Sequence, residues 1–157
     1  AAHVLLGKLY VCGGWDGQEA LKCVERYDPL AGVWEEVEPM MQQRHGAAAV
    51  RAANHLYIVG GHDNEQALSS VERYDPVSGA WEPLPSMEEP RHGASAGRVH
   101  SRIFVFGGHN GTLALTTAES LDLAVGVRWR SIGDMCHGRE GAGGATLAGL
   151  IYVCGGL

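Results

Sequence analysis

The eleven residues 24–34, VERYDPLAGVW, return 47 positions later as VERYDPVSGAW at 71–81. A shared secondary-structure preference fixes residue type but not order, so the chain is built from a repeated unit. A third copy, AESLDLAVGVRW at 118–129, is degraded but still in phase at Glu119 and Asp122. Four further markers keep the same phase. Gly-Gly pairs fall at 13–14, 60–61, 107–108 and 155–156, tryptophans at 34, 81 and 129, methionines at 40, 87 and 135, and R-x-G triplets at 44–46, 91–93 and 139–141. The step is 47 except for one of 48, which places an extra residue of the third unit between Asp122 and Trp129. Periods of this length belong to arrays whose units bury their faces against one another.

Within a unit the local signals are strand and turn. GAAAV (46–50) is a run of small residues; HLYIVGG (55–61) is apolar and ends on glycines; SVERYD (70–75) alternates. AWEPLP (80–85) carries two prolines and is demoted to an edge strand. No stretch sustains a 3.6-residue period, so helix is not expected. Four short antiparallel strands per unit make an all-β propeller blade. The small residues Ala47–Ala49 suit the crowded inner strand, and Tyr74 and Trp81 suit the wedge between blades. The expected blades are 1–43 with a shortened first strand, 44–90, 91–138, and the first two strands of a fourth at 139–157. Leu121-Asp122-Leu123 replaces Tyr-Asp-Pro in the third unit and predicts looser packing there. Three blades and a stub read as part of a longer protein, with apolar edges exposed.

Hydrophobic residues make up 45% and charged residues 19%, a globular balance. The net charge of -6 argues against a nucleic-acid partner, which needs clustered Lys and Arg. Apolar runs are too short for a membrane partner, and AAHVLLGKLY at the start is no secretory leader. Cysteines at 12, 23, 136 and 154 show no C-x-x-C spacing. That predicts reduced thiols and a cytoplasmic protein.

The Gly-Gly pair, the tyrosine 13 residues later, the tryptophan beyond it and the R-x-G of the next unit resemble the Kelch repeat. V-E-R-Y-D-P, W-x-x-L-P-x-M and R-H-G resemble its Kelch-like branch, in which a propeller follows BTB and BACK domains. The resemblance implies a partial Kelch propeller that binds protein or peptide ligands with no cofactor. It also implies that the R-x-G arginine and the residues after Gly-Gly contribute to the binding face.

Carried onto this chain, that face holds Arg44, Arg91 and Arg139, with Trp15, Asp16, His62, Asp63, Asn64, His109 and Asn110 from the loops after each Gly-Gly. His45 and His92 adjoin the arginines. Guanidinium groups around a concave mouth suit the carboxylates of a peptide. The competing reading pairs these arginines with Glu25, Glu72 or loop acids to hold blades in register, and the sequence leaves both open. The histidines at 45, 62, 92, 109 and 137 are read as solvated loop residues on separate blades, too far apart to share a metal. Asn110-Gly111-Thr112 is a glycosylation sequon in a turn, read as inert. Cys12 and Cys154 are expected as buried fillers, Cys23 and Cys136 as accessible, with Cys136 a weak candidate for a reactive thiol.

The resemblance implies a substrate-recognition propeller of a BTB-Kelch adaptor that brings substrate degrons to a cullin-based ubiquitin ligase through domains outside this chain. Its alternative is a scaffold with actin as partner. An enzyme is disfavoured, because no nucleophile elbow, zinc spacing or copper-oxidase ligand set can be assembled from these loops.

Overall fold

The computed structural model describes residues 1–126 and 128–157. The first sheet holds β1 (Ala2–Leu5), β2 (Lys8–Trp15), β3 (Ala20–Asp28) and β4 (Val33–Val37). The second holds β5 (Ala48–Ala52), β6 (His55–Val59), β7 (Val71–Asp75) and β8 (Ala80–Leu84). In the third are β9 (Ser95–Val99), β10 (Arg102–Phe106), β11 (Ala118–Asp122) and β12 (Arg130–Ile132). β13 (Gly143–Leu147) and β14 (Leu150–Cys154) pair as a fourth, two-stranded sheet. Each is an antiparallel meander in chain order, and no helix occurs among the described residues. The third unit's extra residue falls in a span that contains position 127, outside the described residues.

Turn chemistry sets the registers. Leu6-Gly7, Ala53-Asn54 and Ala148-Gly149 all have positive φ, as two-residue hairpins require to match strand twist. The turn after each third strand is closed by an aspartate. Asp75 Oδ1 accepts the Val77 N–H at 2.8 Å, and the Gly79 N–H donates to the Asp75 carbonyl at 2.9 Å. Asp28 and Asp122 repeat both bonds. The expected strand at 46–50 begins two residues late, because Gly46 takes φ 59°, outside the β region.

The core lies between sheets rather than within one. Leu5, Tyr10, Cys12, Val24 and Met40 of the first unit pack against Leu56, Ile58 and Tyr74 of the second. Val50, Tyr57, Val59, Val71 and Met87 pack in turn against Ile103, Val105, Leu121 and Trp129 of the third. Trp81 Nε1–H donates to the Glu38 carbonyl at 2.7 Å, and Trp129 Nε1–H to the Pro85 carbonyl at 2.9 Å. Each indole therefore ties its blade to the one before, as its expected wedge position implies, while the equivalent Trp34 is exposed. Leu121 is buried at 2%, so the third unit is not loosened by losing tyrosine; an aliphatic side chain fills the same gap.

The inner strands β1, β5, β9 and β13 stand side by side around a channel of about 470 Å³, lined in part by Ala49, Ala96 and Gly144. A side chain at Gly97 would press on Ile151 and Thr146. Small residues on these strands are what allow four sheets to converge.

Candidate functional site

Each link between consecutive sheets passes through the R-x-G segment. The Arg44 N–H donates to the Leu21 carbonyl at 2.9 Å, and its carbonyl accepts the Gly14 N–H at 2.8 Å, both in the first unit. Its side chain runs the other way. Nη1 donates to the carbonyls of Gly60 at 2.7 Å and Ser70 at 3.0 Å, while Nε and Nη2 donate to Glu72 Oε1 at 3.1 and 2.9 Å. Arg91 repeats the arrangement onto the third unit, meeting Gly107, Thr117 and Glu119 at 2.9–3.2 Å. Each glutamate also accepts two backbone N–H groups of the incoming loop, Met41 and Gln42 at Glu72, Glu88 and Glu89 at Glu119.

The glycines explain why the backbone can come so close. Gly13, Gly60 and Gly107 have φ of 58°, 65° and 62°, and an added Cβ would land on the carbonyl of Arg44, Arg91 or Arg139. Only glycine meets both demands.

This geometry corrects the expected arginine mouth. Arg44 and Arg91 are 1% and 0% exposed, and their donors are consumed inside the blade. Burial pulls the Arg44 guanidinium below its ordinary value, and its bond to Glu72 works against that. A charge so deep persists because a carboxylate and carbonyls replace water. The register-holding reading applies to both. Arg139 makes the same backbone link, its N–H to Leu115 and its carbonyl from the Gly108 N–H, and its Nη1 reaches the Gly155 carbonyl. Its guanidinium has no carboxylate partner among the described residues and is half-exposed.

The residue after each arginine takes the opposite course. His45 pairs with His62 through reciprocal backbone bonds of 3.0 and 2.9 Å, His92 pairs with His109 likewise, and Glu140 with Leu157. Each short bridge ties the incoming segment of a unit to the loop after that unit's second strand, at one face. The rings of His45, His62 and His92 lie 5.0–5.8 Å apart, and Trp15, 51% exposed, lies 5.3 Å from His45. The expectation that these histidines lie far apart is therefore wrong for three of the five, although all three remain part-exposed: the converging inner strands draw their loops together. Among the described residues no cluster has the geometry to hold a metal ion.

The ladder continues to Glu140, whose Oε1 accepts from His92 Nδ1–H at 3.1 Å. His62 Nδ1 accepts the Asn64 N–H at 3.1 Å and His109 Nδ1 the Gly111 N–H at 3.0 Å, which leaves Nε2–H as the donor in each. Burial first, then the neighbouring His92 and His62, hold His45 below the ordinary imidazole range.

The remaining candidates shape the loops. Asp16, Asp63 and Asn110 each accept backbone N–H groups two and three residues on, at 2.8–3.1 Å. Asn64 Oδ1 accepts the Ala20 N–H at 2.8 Å, tying the second unit's loop to the first unit. Sequence reasoning missed Gln42, Gln43 and Glu140. Both glutamines bind Asp63 across the gap between units, and Glu140 occupies the phase of His45 and His92, a signal present in the alignment of units. Among the cysteines, Cys12 is buried and its thiol is pushed up to about 12, mainly by that burial. Cys154 is exposed, not a buried filler, because no third strand covers β14. Cys23 and Cys136 are exposed.

The Kelch motif family matches residues 1–41, 43–88 and 90–135, with the phase of the three complete sheets. The chain belongs to the Kelch-repeat family. Kelch repeats build interaction modules, and that general role comes with the match. Mouse Kelch-like protein 35 is 39% identical over 49 residues, 31% of this chain and 8% of that protein. Human Kelch-like protein 6 is 47% identical over 38 residues, 24% of this chain and 6% of that protein. The chain thus matches under a tenth of the length of these Kelch-like relatives. The structure titled "Structure of YjhT" superposes with a TM-score of 0.87 at 14% identity, covering 99% of this chain and 57% of that one, which establishes the propeller fold.

Proposed function

We propose that this chain is part of the partner-recognition propeller of a Kelch-like adaptor for a cullin-based ubiquitin ligase, and that a peptide of the substrate docks at Trp15, His45, His62 and His92. The observation that carries the site is the contact ladder of those four rings on one face. Aromatic and imidazole groups offer apolar area and directed donors together, which suits an extended peptide. The similarity to two Kelch-like proteins supports the adaptor role. The chemistry proposed here is binding alone, with ligation left to partners reached through other domains.

Two measurements test this reading. The full reading frame should encode a BTB fold and the full protein should co-precipitate a cullin. Immobilised chain should capture a substrate that a Trp15→Ala, His45→Ala variant releases. Co-sedimentation with actin filaments and no cullin would replace the adaptor role with a cytoskeletal one.

A further inference from the structure

We propose that the histidine cluster is a proton-linked seat for an acidic segment of the partner, holding carboxylates more tightly as the pH falls below neutrality. This deepens the proposed function and rests on its placing of the peptide at this face.

Three imidazoles in mutual contact are an unusual surface for a chain of net charge -6. Among the described residues one carboxylate bonds to these rings, at one end, Glu140 on His92. That contact shows within the molecule what the cluster does with a carboxylate. The other charged groups nearby are committed. Asp63 is held by the N–H groups of Glu65 and Gln66 and by Gln42, and Asp16 by those of Gln18 and Glu19. Arg44 and Arg91 are sealed beneath by Glu72 and Glu119, and Arg139 turns to the Gly155 carbonyl.

His45 is left in the middle. Its ring makes no side-chain hydrogen bond among the described residues and faces His62 on one side and His92 on the other. A proton on it is part-buried and meets two imidazoles and no counter-charge, so its titration is displaced downward, by burial first and then by His92 and His62. A carboxylate from a guest supplies the missing partner, so the bound state takes up a proton that the free state declines. Binding then strengthens as the pH falls, by up to a factor of ten per pH unit for each proton taken up. His62 adds an Nε2–H donor whose tautomer is fixed by the Asn64 N–H, and Trp15 adds an apolar wall. The fitting ligand is an extended peptide with Asp or Glu beside an apolar residue.

Random dodecapeptides displayed on phage and selected on this chain at pH 6.0 provide the probe. The selected set should be enriched in Asp and Glu. By fluorescence anisotropy its members should bind about ten-fold tighter at pH 6.0 than at pH 7.5, where peptide carboxylates stay ionised throughout. His45→Gln should bring that ratio close to one with the thermal midpoint at pH 7.5 unchanged. Peptides without acidic enrichment, a flat pH profile, or a ratio preserved in His45→Gln would each overturn the inference while leaving the binding face standing. Selected peptides that ignore Trp15→Ala, or no selected peptides at all, would remove the face itself and the inference with it.

Discussion

Arg44 and His45 are adjacent in the chain and opposite in use, and Arg91 and His92 repeat the contrast. The arginines are buried and bonded to a glutamate on the third strand of the sheet that follows them; the histidines surface at the mouth. The deep position is the same in every unit, Arg44, Arg91 and Arg139, and so is its glutamate where the strand is present. The mouth position varies: His45, His92, Glu140 in one phase, and Trp15, His62, His109, Leu157 in the other. A residue that serves the joint between units must recur with the joint. A residue that serves a guest is under no such rule. Recurrence therefore marks architecture in this molecule, and under the proposed function variation within the repeat marks the surface offered to a ligand.

The largest expected effect comes from opening a deep joint. Glu72→Ala removes the one carboxylate paired with the Arg44 guanidinium among the described residues and should destabilise the chain by about 3–5 kcal/mol. Arg139→Ala, at the joint that has no carboxylate, should change stability by about 0.5 kcal/mol or less. Urea titration of the pair decides whether the contrast is real; equal losses would break it. Next in size, Gly60→Ala forces a Cβ onto the Arg91 carbonyl at positive φ and should lose about 1–3 kcal/mol. Gly79→Ala, also at positive φ but with open space around it, should lose about 1–2 kcal/mol, the conformational part alone. A comparison of the two midpoints separates contact from torsion.

The smallest effect is in pH. The His45 ring titrates lower in the folded chain than in the unfolded one, so the unfolded state binds more protons as the pH drops through the ordinary imidazole range. Stability from this source is full above that range and lost below it. Thermal midpoints should decline from pH 7.5 to pH 5.5, and His45→Gln should flatten the slope without moving the pH 7.5 value. A second decline belongs at lower pH, where the turn aspartates protonate. Asp28, Asp75 and Asp122 titrate below the usual carboxylate range, with backbone N–H groups leading the cause at Asp75 and Asp122 and Lys8 at Asp28. Their contribution is present above the unfolded value and lost as the pH falls through the folded one.

Much of the fold was legible because the markers that repeat are those a blade cannot form without. Gly60 needs its torsion and Trp81 its wedge, and each demand shows as a fixed letter at a fixed phase. The burial of Arg44 was not legible, since R-x-G in a loop reads equally as an anion trap or as a structural tie. What decides it is Glu72, 28 residues away, brought opposite by pairing of β6 with β7. The histidine ladder was hidden for the same reason. His45 and His92 are 47 residues apart, and only the convergence of inner strands sets their rings 5.0 Å apart. Cys154 misled because its phase matches the buried Cys12, yet burial at that phase needs a third strand, and β14 has none beside it.

Hydrogen exchange of the three arginine Nε–H protons, followed by NMR on the intact chain, tests the central contrast most directly. Arg44 and Arg91 should exchange slowly, held against Glu72 and Glu119, while Arg139 exchanges at the rate of an open side chain. Three arginines exchanging at one fast rate would place all of them at the mouth and contradict the division between joint and guest surface.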